Sequence, residues 1–339
     1  HTAYRRQRQM CIRDSAREAG VSQATVSLVL NNSRAIRLSD ATRERVYAAA
    51  SALGYQKIIV PHRPDGQEEI ALLLCGVPNY DPFIDAISEA SSTAWQRDML
   101  LTVYDYGDDM QMAEQILRQL DSRNCAGVIL ASPVTRAFDF SPFESLLKKP
   151  VVLLNQYDPN RPLLPTFLPD DRANACQIVS HLLSQGVTRI AHIMGDEWMD
   201  ASVLRLEGYR QTLQQAGIEI DETLIKQTDW SLNATFNATL ELMRLPQPPQ
   251  AIFCASDWMT LGCYQALATL HISIPDDVLV CGYDDQRIAH QLTPALTSVQ
   301  LAYNELGRMA VSYLCDGDDT SAHIRLVGKL QVRGSSLRT

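Results

Sequence analysis

The chain has 339 residues, of which 46% are hydrophobic, and its formal net charge is −9. It is long enough for more than one domain, and it has no run of eighteen apolar residues, which excludes a membrane-spanning helix. A secretory signal requires an apolar stretch after its basic start, and none follows the arginine-rich start of this chain. The eight cysteines lack CxxC spacing. We therefore expect a cytoplasmic protein with reduced thiols, no metal site and no cofactor.

The net charge hides a strong asymmetry. Residues 1–63 contain eleven Lys/Arg and four Asp/Glu, a balance of +7, whereas the remainder carries −16. A basic segment of this kind suits DNA phosphates, and an acidic body discourages non-specific contact with DNA. Residues 1–9 are polar and without periodicity, and we interpret them as non-native or disordered.

Residues 10–56 predict a three-helix, helix-turn-helix headpiece. Gly20 lies between two short helical patterns, and glycine tolerates the backbone conformation of a tight turn. Ser22 is placed to cap the second helix. A third helix is predicted with Ser39 as its cap and Gly54 as its stop.

The outer face of the second helix is the predicted DNA-reading surface, because this face enters the major groove in such motifs. Gln23, Ala24 and Leu28 are expected at base edges, since glutamine can pair with adenine and apolar side chains contact thymine methyls. Phosphate contacts are expected from Ser22, Thr25, Ser27 and Asn31.

Motifs along the chain carry a family resemblance. They are Ala19-Gly-Val-Ser-x-x-Thr-Val-Ser-x-Val-Leu-Asn31, Thr42-Arg-Glu-Arg-Val46, Leu53-Gly-Tyr55, Gly282-Tyr-Asp-Asp285, Pro294-x-Leu-Thr-Ser-Val299 and Leu330-Gln-Val-Arg-Gly-Ser335. In this order and spacing they resemble the LacI/GalR family of bacterial transcriptional regulators, from about residue 12 onward. The resemblance implies a two-lobed, periplasmic-binding-protein-like core.

The linker departs from the family pattern. Relatives join headpiece to core by a hinge that becomes helical on DNA and inserts a leucine into the minor groove. Here residues 57–69 contain Pro61, Pro64 and Gly66, which disfavour a helix. We therefore expect an extended linker.

Residues 70–339 alternate apolar runs with amphipathic helices, which predicts an α/β core of doubly wound parallel sheets. Strands are predicted at 70–77, 100–104, 127–131, 151–155, 190–194, 251–255 and 278–282. Helices are predicted near 83–97, 111–122, 172–185, 202–216, 232–244, 257–269 and 303–315. The first lobe is expected over about 70–166 and 299–326, and the second over about 167–298 and 327–335. Chain crossovers are expected near 167–169 and 296–300.

A ligand of such a core is expected between the lobes, at the carboxyl ends of the strands. Aromatic, amide, carboxylate and guanidinium groups at those ends are what a sugar needs. The candidates are Asp81, Phe83, Asn155, Phe167, Arg205, Trp230, Ser256, Asp257 and Asp284. In the family, an arginine at the place of Arg205 bonds sugar hydroxyls or a carboxylate, and an aromatic at the place of Trp230 lies against the ligand.

The sequence therefore favours a homodimeric repressor that reads a pseudo-palindromic operator and responds to a sugar or glycoside. Two alternatives remain open. One is a sugar-binding protein without specific DNA readout. The other is a glycoside-processing enzyme, for which Asp81 and Asp284 would be the opposed carboxylates. No nucleotide-binding, metalloprotease or serine-hydrolase motif is present, so we expect no catalysis.

Overall fold

The computed structural model describes residues 15–30, 39–52, 68–76, 82–107, 109–317 and 323–338. The chain divides into two compact units, His1–Asp65 and Gly66–Thr339. The interpretation of residues 1–9 and the predicted hinge up to residue 67 lie outside the described residues.

The first unit contains helix α1 over residues 15–19, α2 over Gln23–Leu30 and α3 over Asp40–Ala52. Gly20 has a φ of +65°, which is the left-handed turn that the sequence predicts. The Oγ atoms of Ser22 and Ser39 accept backbone hydrogen bonds from the residues three positions later, at 3.0 and 3.3 Å. Both predicted caps are confirmed. The small core consists of Ala16, Ala19, Val26, Val29, Val46 and Ala49.

The second unit alternates strands and helices. They are, in chain order, β1 Glu69–Leu74, α4 Ile84–Trp95, β2 Leu100–Asp105, α5 Met110–Asp121, β3 Cys125–Ala137, α6 Ser141–Glu144, β4 Val151–Tyr157, β5 Thr166–Pro169, α7 Asp171–Ser184, β6 Ile190–Met194, α8 Asp200–Gln215, β7 Ile225–Gln227, α9 Leu232–Met243, β8 Ala251–Cys254, α10 Asp257–Thr269, β9 Leu279–Cys281, β10 Ser298–Gln300, α11 Tyr303–Asp316, β11 His323–Leu326 and β12 Lys329–Gln331.

Two parallel sheets form the cores of two lobes. The first has the order β11-β5-β4-β3-β1-β2, and the second has the order β7-β6-β8-β9. Strands β10 and β12 pair antiparallel in a separate two-stranded ribbon. All residues of β1 and β8 are buried, because helices cover both faces of a doubly wound sheet.

Two predicted boundaries can be compared with the strands. The crossover expected near residues 167–169 falls on strand β5, Thr166–Pro169, of the first sheet, and helix α7, which packs on α8, begins two residues later. Strand β5 has four residues, which is too short to show an apolar run. Glu69 was expected at the end of the linker, but it is the first residue of β1 and is buried. A hydrogen bond from Thr102 and the nearby guanidinium of Arg123 offset the burial of its charge.

Candidate functional site

Arg205 is a buried and tightly held charged side chain at the carboxyl edge of the second sheet. It lies in α8 and is 6% exposed. Its Nε donates to Oδ1 of Asp171 at 2.9 Å, and its Nη1 donates to the carbonyl of Ala255. Its Nη2 lies 3.7 Å from a carboxylate oxygen of Asp284. The guanidinium is therefore held by neighbours on α7 and at the ends of β8 and β9.

The aromatic ring of Tyr283 completes this arrangement. The guanidinium carbon of Arg205 lies 3.6 Å from the ring centroid, which is a close cation–π contact. The Tyr283 hydroxyl donates to Oδ1 of Asp171 at 2.8 Å and accepts from Nδ2 of Asn174 at 3.0 Å. Although burial lowers the pKa of Arg205, the negative charges of Asp171 and Asp284 raise it above its ordinary value. The guanidinium is thus a permanent cation in a fixed position.

Sequence reasoning placed Arg205 and Asp284 in the site but missed Asp171, Asn174 and Tyr283. Asp171 follows a second aspartate, which is a common pattern at helix starts, and Asp170 is indeed the cap of α7. Nothing in the sequence separates the capping aspartate from the one that holds Arg205.

Trp230 lies beside the same guanidinium. Its ring centroid is 6.0 Å from the guanidinium carbon of Arg205, and its backbone has a φ of +65°. A Cβ at Gly195 would overlap the indole, so the glycine after β6 leaves the space that the ring occupies. The indole Nε1 is buried without a hydrogen-bond partner.

Other polar atoms in this region are also buried without protein partners. They are both amide atoms of Gln156, Oδ2 of Asp171, Oδ2 of Asp200 and Oγ of Ser202. Gln156 lies near the end of β4, and the other three lie in the first turns of α7 and α8, directly after β5 and β6. Buried polar groups normally have partners, so this concentration of unpartnered atoms indicates a place where a polar ligand or water binds.

The remaining predicted effector residues use their side chains within the protein. Phe83 and Phe167 are buried and make edge-to-face contacts with Tyr303 and Tyr313. The amide of Asn155 is fully buried and bonds to Ser132, Thr135 and Tyr303. The described contacts of these residues are those of the core. Asp81 lies outside the described residues.

Ser256 and Asp257 begin α10. Oγ of Ser256 caps the helix by accepting from the backbone of Trp258 at 3.1 Å. Asp257 is fully buried, and its two oxygens accept from the Ser298 hydroxyl and the Gln286 backbone, each at 2.7 Å. Burial raises the pKa of Asp257 to about 8. Its contacts join α10 to the segments around β9 and β10.

One contact links the lobes near the site. Tyr157 ends β4 of the first lobe, and Asp200 begins α8 of the second. Burial, together with the hydrogen bond to Asp200 and its charge, raises the pKa of Tyr157. Tyr157 and Asp200 therefore form a polar contact between the lobes.

In the headpiece, Ser22 and Gln23 are exposed and Thr25 is half-buried. The side chains of Ala24, Ser27 and Leu28 and the whole of Asn31 lie outside what the structure describes. Val26 and Val29 of the same helix point into the core, so α2 presents its other side outward.

Comparison with known proteins agrees with both units. The sequence profile of "Bacterial regulatory proteins, lacI family" matches residues 11–57, and that of "Periplasmic binding protein-like domain" matches residues 179–336. The chain is 32% identical over 330 residues to the HTH-type transcriptional repressor CytR of Escherichia coli K12, covering 96% of each protein. The chain belongs to the lacI family. It is thus a DNA-binding transcriptional regulator of the helix-turn-helix type, with a periplasmic-binding-protein-like core.

Two further proteins are similar to this chain over most of its length. The ribose operon repressor of Escherichia coli K12 is 30% identical over 310 residues, covering 89% of this chain and 91% of that protein. A solved structure described as a complex of the transcriptional regulator CelR with cellobiose is 29% identical, with a TM-score of 0.66. It covers 96% of this chain and 99% of that one. Among the described residues, no helix is long and apolar enough to span a membrane.

Proposed function

We propose that this lacI-family protein is a repressor of a carbohydrate-utilisation operon, whose affinity for its operator is controlled by a sugar or glycoside bound between the lobes. The observation that carries the proposal is the group of unpartnered buried polar atoms around Arg205. Hydroxyl groups donate and accept hydrogen bonds, so a sugar can satisfy amide, carboxylate, hydroxyl and indole atoms together.

The residues divide the work of recognition. Arg205 and Asp284 offer a donor and an acceptor to neighbouring hydroxyls. The indole of Trp230 offers a face to sugar C–H groups and its free Nε1 to one hydroxyl. Gln156 supplies an amide from the first lobe, so a bound sugar contacts both lobes. A ligand that contacts both lobes favours one relative arrangement of them.

Operator recognition is assigned to α2. The exposed Gln23 is the base-reading residue, and Ala24 and Leu28 contact neighbouring bases. Ser22, Thr25, Ser27 and Asn31 contact phosphates. A single headpiece offers too small an interface for specific affinity, so two of them read a pseudo-palindrome.

Exposed apolar side chains of the first lobe support a homodimer. Ile84 and Trp95 lie three turns apart on the same side of α4 and are 56% and 61% exposed. Val103 of the edge strand β2 and two methionines of α5, Met110 and Met112, are exposed as well. Such apolar side chains are typical of surfaces that bury against a partner. A second copy of the chain supplies the second headpiece that specific operator binding requires.

The regulatory step is then a linkage. An effector that binds one arrangement of the lobes more tightly shifts the dimer toward it, and the headpieces change their spacing. The protein acts in the cytoplasm, where its DNA is, and performs no catalysis. The relatives named above are regulators, which favours this assignment over the enzyme alternative.

The effector assignment can be tested by titrating sugars, including cellobiose and ribose, in isothermal calorimetry. We expect saturable binding of one sugar, weakened at least about tenfold by Arg205→Lys or Trp230→Ala because each removes a directed contact. Arg210→Lys is the matched control, since Arg210 lies on the same helix as Arg205 and makes a surface ion pair with Glu222. Equal weakening by the control, or no binding of any sugar, would contradict the assignment.

A further inference from the structure

A continuous hydrogen-bonded path leads away from Arg205 through Asp171 and Tyr283 to Asn174. Asp171 accepts from Arg205, Tyr283 donates to the same oxygen of Asp171, and Asn174 donates to the Tyr283 hydroxyl. Asn174, Asp171 and Tyr283 are all fully buried. The hydrogen bonds of this path therefore lie in the interior, away from bulk solvent.

The path ends on a chain segment that crosses between the lobes. Oδ1 of Asn174 accepts from the backbone N–H of Gly328 at 2.7 Å. Gly328 lies between β11, in the sheet of the first lobe, and β12, in the two-stranded ribbon. A Cβ at Gly328 would overlap the carbonyl of Gln300, so this segment lies directly against β10, which also leads from one lobe to the other.

Gln177 holds the same segment through the carbonyl of Gly328, whereas Asn174 holds it through the N–H. Nε2 of Gln177 donates to the carbonyl of Gly328 at 3.1 Å and lies 3.4 Å from Oδ1 of Asn174. Both residues lie on α7, one turn apart. Asn174 and Gln177 in the first turns of α7 thus both hydrogen-bond to Gly328. Of these two residues, Asn174 also hydrogen-bonds to Tyr283.

We infer that Asn174 is a positioning residue, which fixes the Arg205 guanidinium through Tyr283 and Asp171 and couples it to the crossing segment at Gly328. The two ends of the Asn174 amide have different partners, because Nδ2 donates to the Tyr283 hydroxyl and Oδ1 accepts from the Gly328 backbone. A movement of the crossing segment when the lobes rotate is therefore passed to the guanidinium. This inference rests on the proposed function insofar as Arg205 binds the effector.

The test follows the Arg205 side chain itself by NMR. In the full-length protein labelled with ¹⁵N-arginine, the Nε–Hε signal of Arg205 is assigned by its loss in Arg205→Lys. We expect Asn174→Ala to shift this signal in the same direction as Tyr283→Phe, which removes only the hydroxyl. Thr239→Ala is the control, because Thr239 is also fully buried but bonds only within α9. A signal that moves in Tyr283→Phe but not in Asn174→Ala overturns the inference.

The second readout uses cellobiose and ribose as probes. We expect Asn174→Ala and Tyr283→Phe each to weaken the binding of a responding sugar by about five- to tenfold, as the loss of one buried hydrogen bond does. Because they act through one path, the double variant should be little weaker than either single one. Fully additive losses would overturn the inference. If neither sugar binds the wild type, the assignment of these sugars fails, and the NMR signal still decides the role of Asn174.

Discussion

Arg205 and Asp171 form a buried ion pair in which Nε and Oδ1 are 2.9 Å apart, and both side chains are almost inaccessible to solvent. Only one oxygen of Asp171 accepts these hydrogen bonds, because Arg205 and Tyr283 both donate to Oδ1. The pair therefore fixes the direction of the guanidinium and leaves the second oxygen unpartnered.

Removing the carboxylate should be costly. We predict that Asp171→Ala lowers the free energy of unfolding by about 3–5 kcal/mol, because the Arg205 cation is then buried with weaker compensation. The exposed pair between Arg210 and Glu222 provides the control, and Glu222→Ala should cost at most about 1 kcal/mol. Urea unfolding of both variants measures the difference, and similar values for the two would contradict the prediction.

The stability of the protein should carry a pH signature from Asp257. Its pKa is about 8 in the folded protein, against 3.8 as the ordinary value. Between these values the folded state holds a proton that the unfolded state has lost, so stability falls as pH rises from about 4 to 8. The slope is at most about 1.4 kcal/mol per pH unit from this group.

Asp257→Asn tests this signature. The amide imitates the protonated acid, since it can donate to Oγ of Ser298 and accept from the Gln286 backbone. We predict that the variant loses the slope between pH 6.5 and 8 and exceeds the wild type in stability at pH 8. Below pH 6.5 the buried His192, whose pKa burial lowers to about 4, contributes the opposite slope and must be considered separately. An unchanged slope between pH 6.5 and 8 would show that Asp257 is ionised throughout.

Ser15 is a weak point of the headpiece. It is buried and its hydroxyl has no partner. Ser15→Ala should therefore stabilise the headpiece by about 1 kcal/mol, because a buried hydroxyl without a hydrogen bond is unfavourable. Ser22→Ala should destabilise it by a similar amount, since it removes the cap of α2. Amide hydrogen exchange at Val26 and Val29 measures both effects, and slower exchange in Ser22→Ala would contradict the account.

The proposed dimer can be tested on α4. Trp95→Glu places a charge among the exposed apolar side chains of α4, so it should convert a dimer into monomers at micromolar concentration. Trp198→Glu is the control, because Trp198 is equally exposed, at 61%, but lies in the second lobe. Sedimentation velocity distinguishes the two. A monomeric wild type, or dissociation by both variants, would exclude this interface.

Much of the fold follows from local sequence patterns. Strand β6 has the predicted limits, and each of the seven predicted core helices is present, because apolar runs and amphipathic periodicity report burial directly. The short strands β5, β7, β10, β11 and β12 were not predicted. Each has three or four residues, and pairing rather than composition defines them.

The site was harder to predict because its geometry is not local. Arg205 and Trp230 were identified by residue type and by family resemblance. Asp171, however, lies 34 residues from the arginine that it holds. Asn155 stays a prediction as an effector residue. An amide at the end of a strand can bind a ligand or its own lobe, and the described contacts of Asn155 are with Ser132 and Tyr303.

This protein is proposed to bind a specific DNA sequence with an affinity that a sugar changes. The most direct measurement is fluorescence anisotropy with a duplex from the gene's own upstream region and a scrambled duplex, at one near-physiological salt concentration, with and without the sugar that binds. We predict preference for the native duplex, a change of that affinity by the sugar, and a loss of about 1–3 kcal/mol of base discrimination in Gln23→Ala. Equal binding of both duplexes, unaffected by any sugar and by Gln23→Ala, would contradict the account.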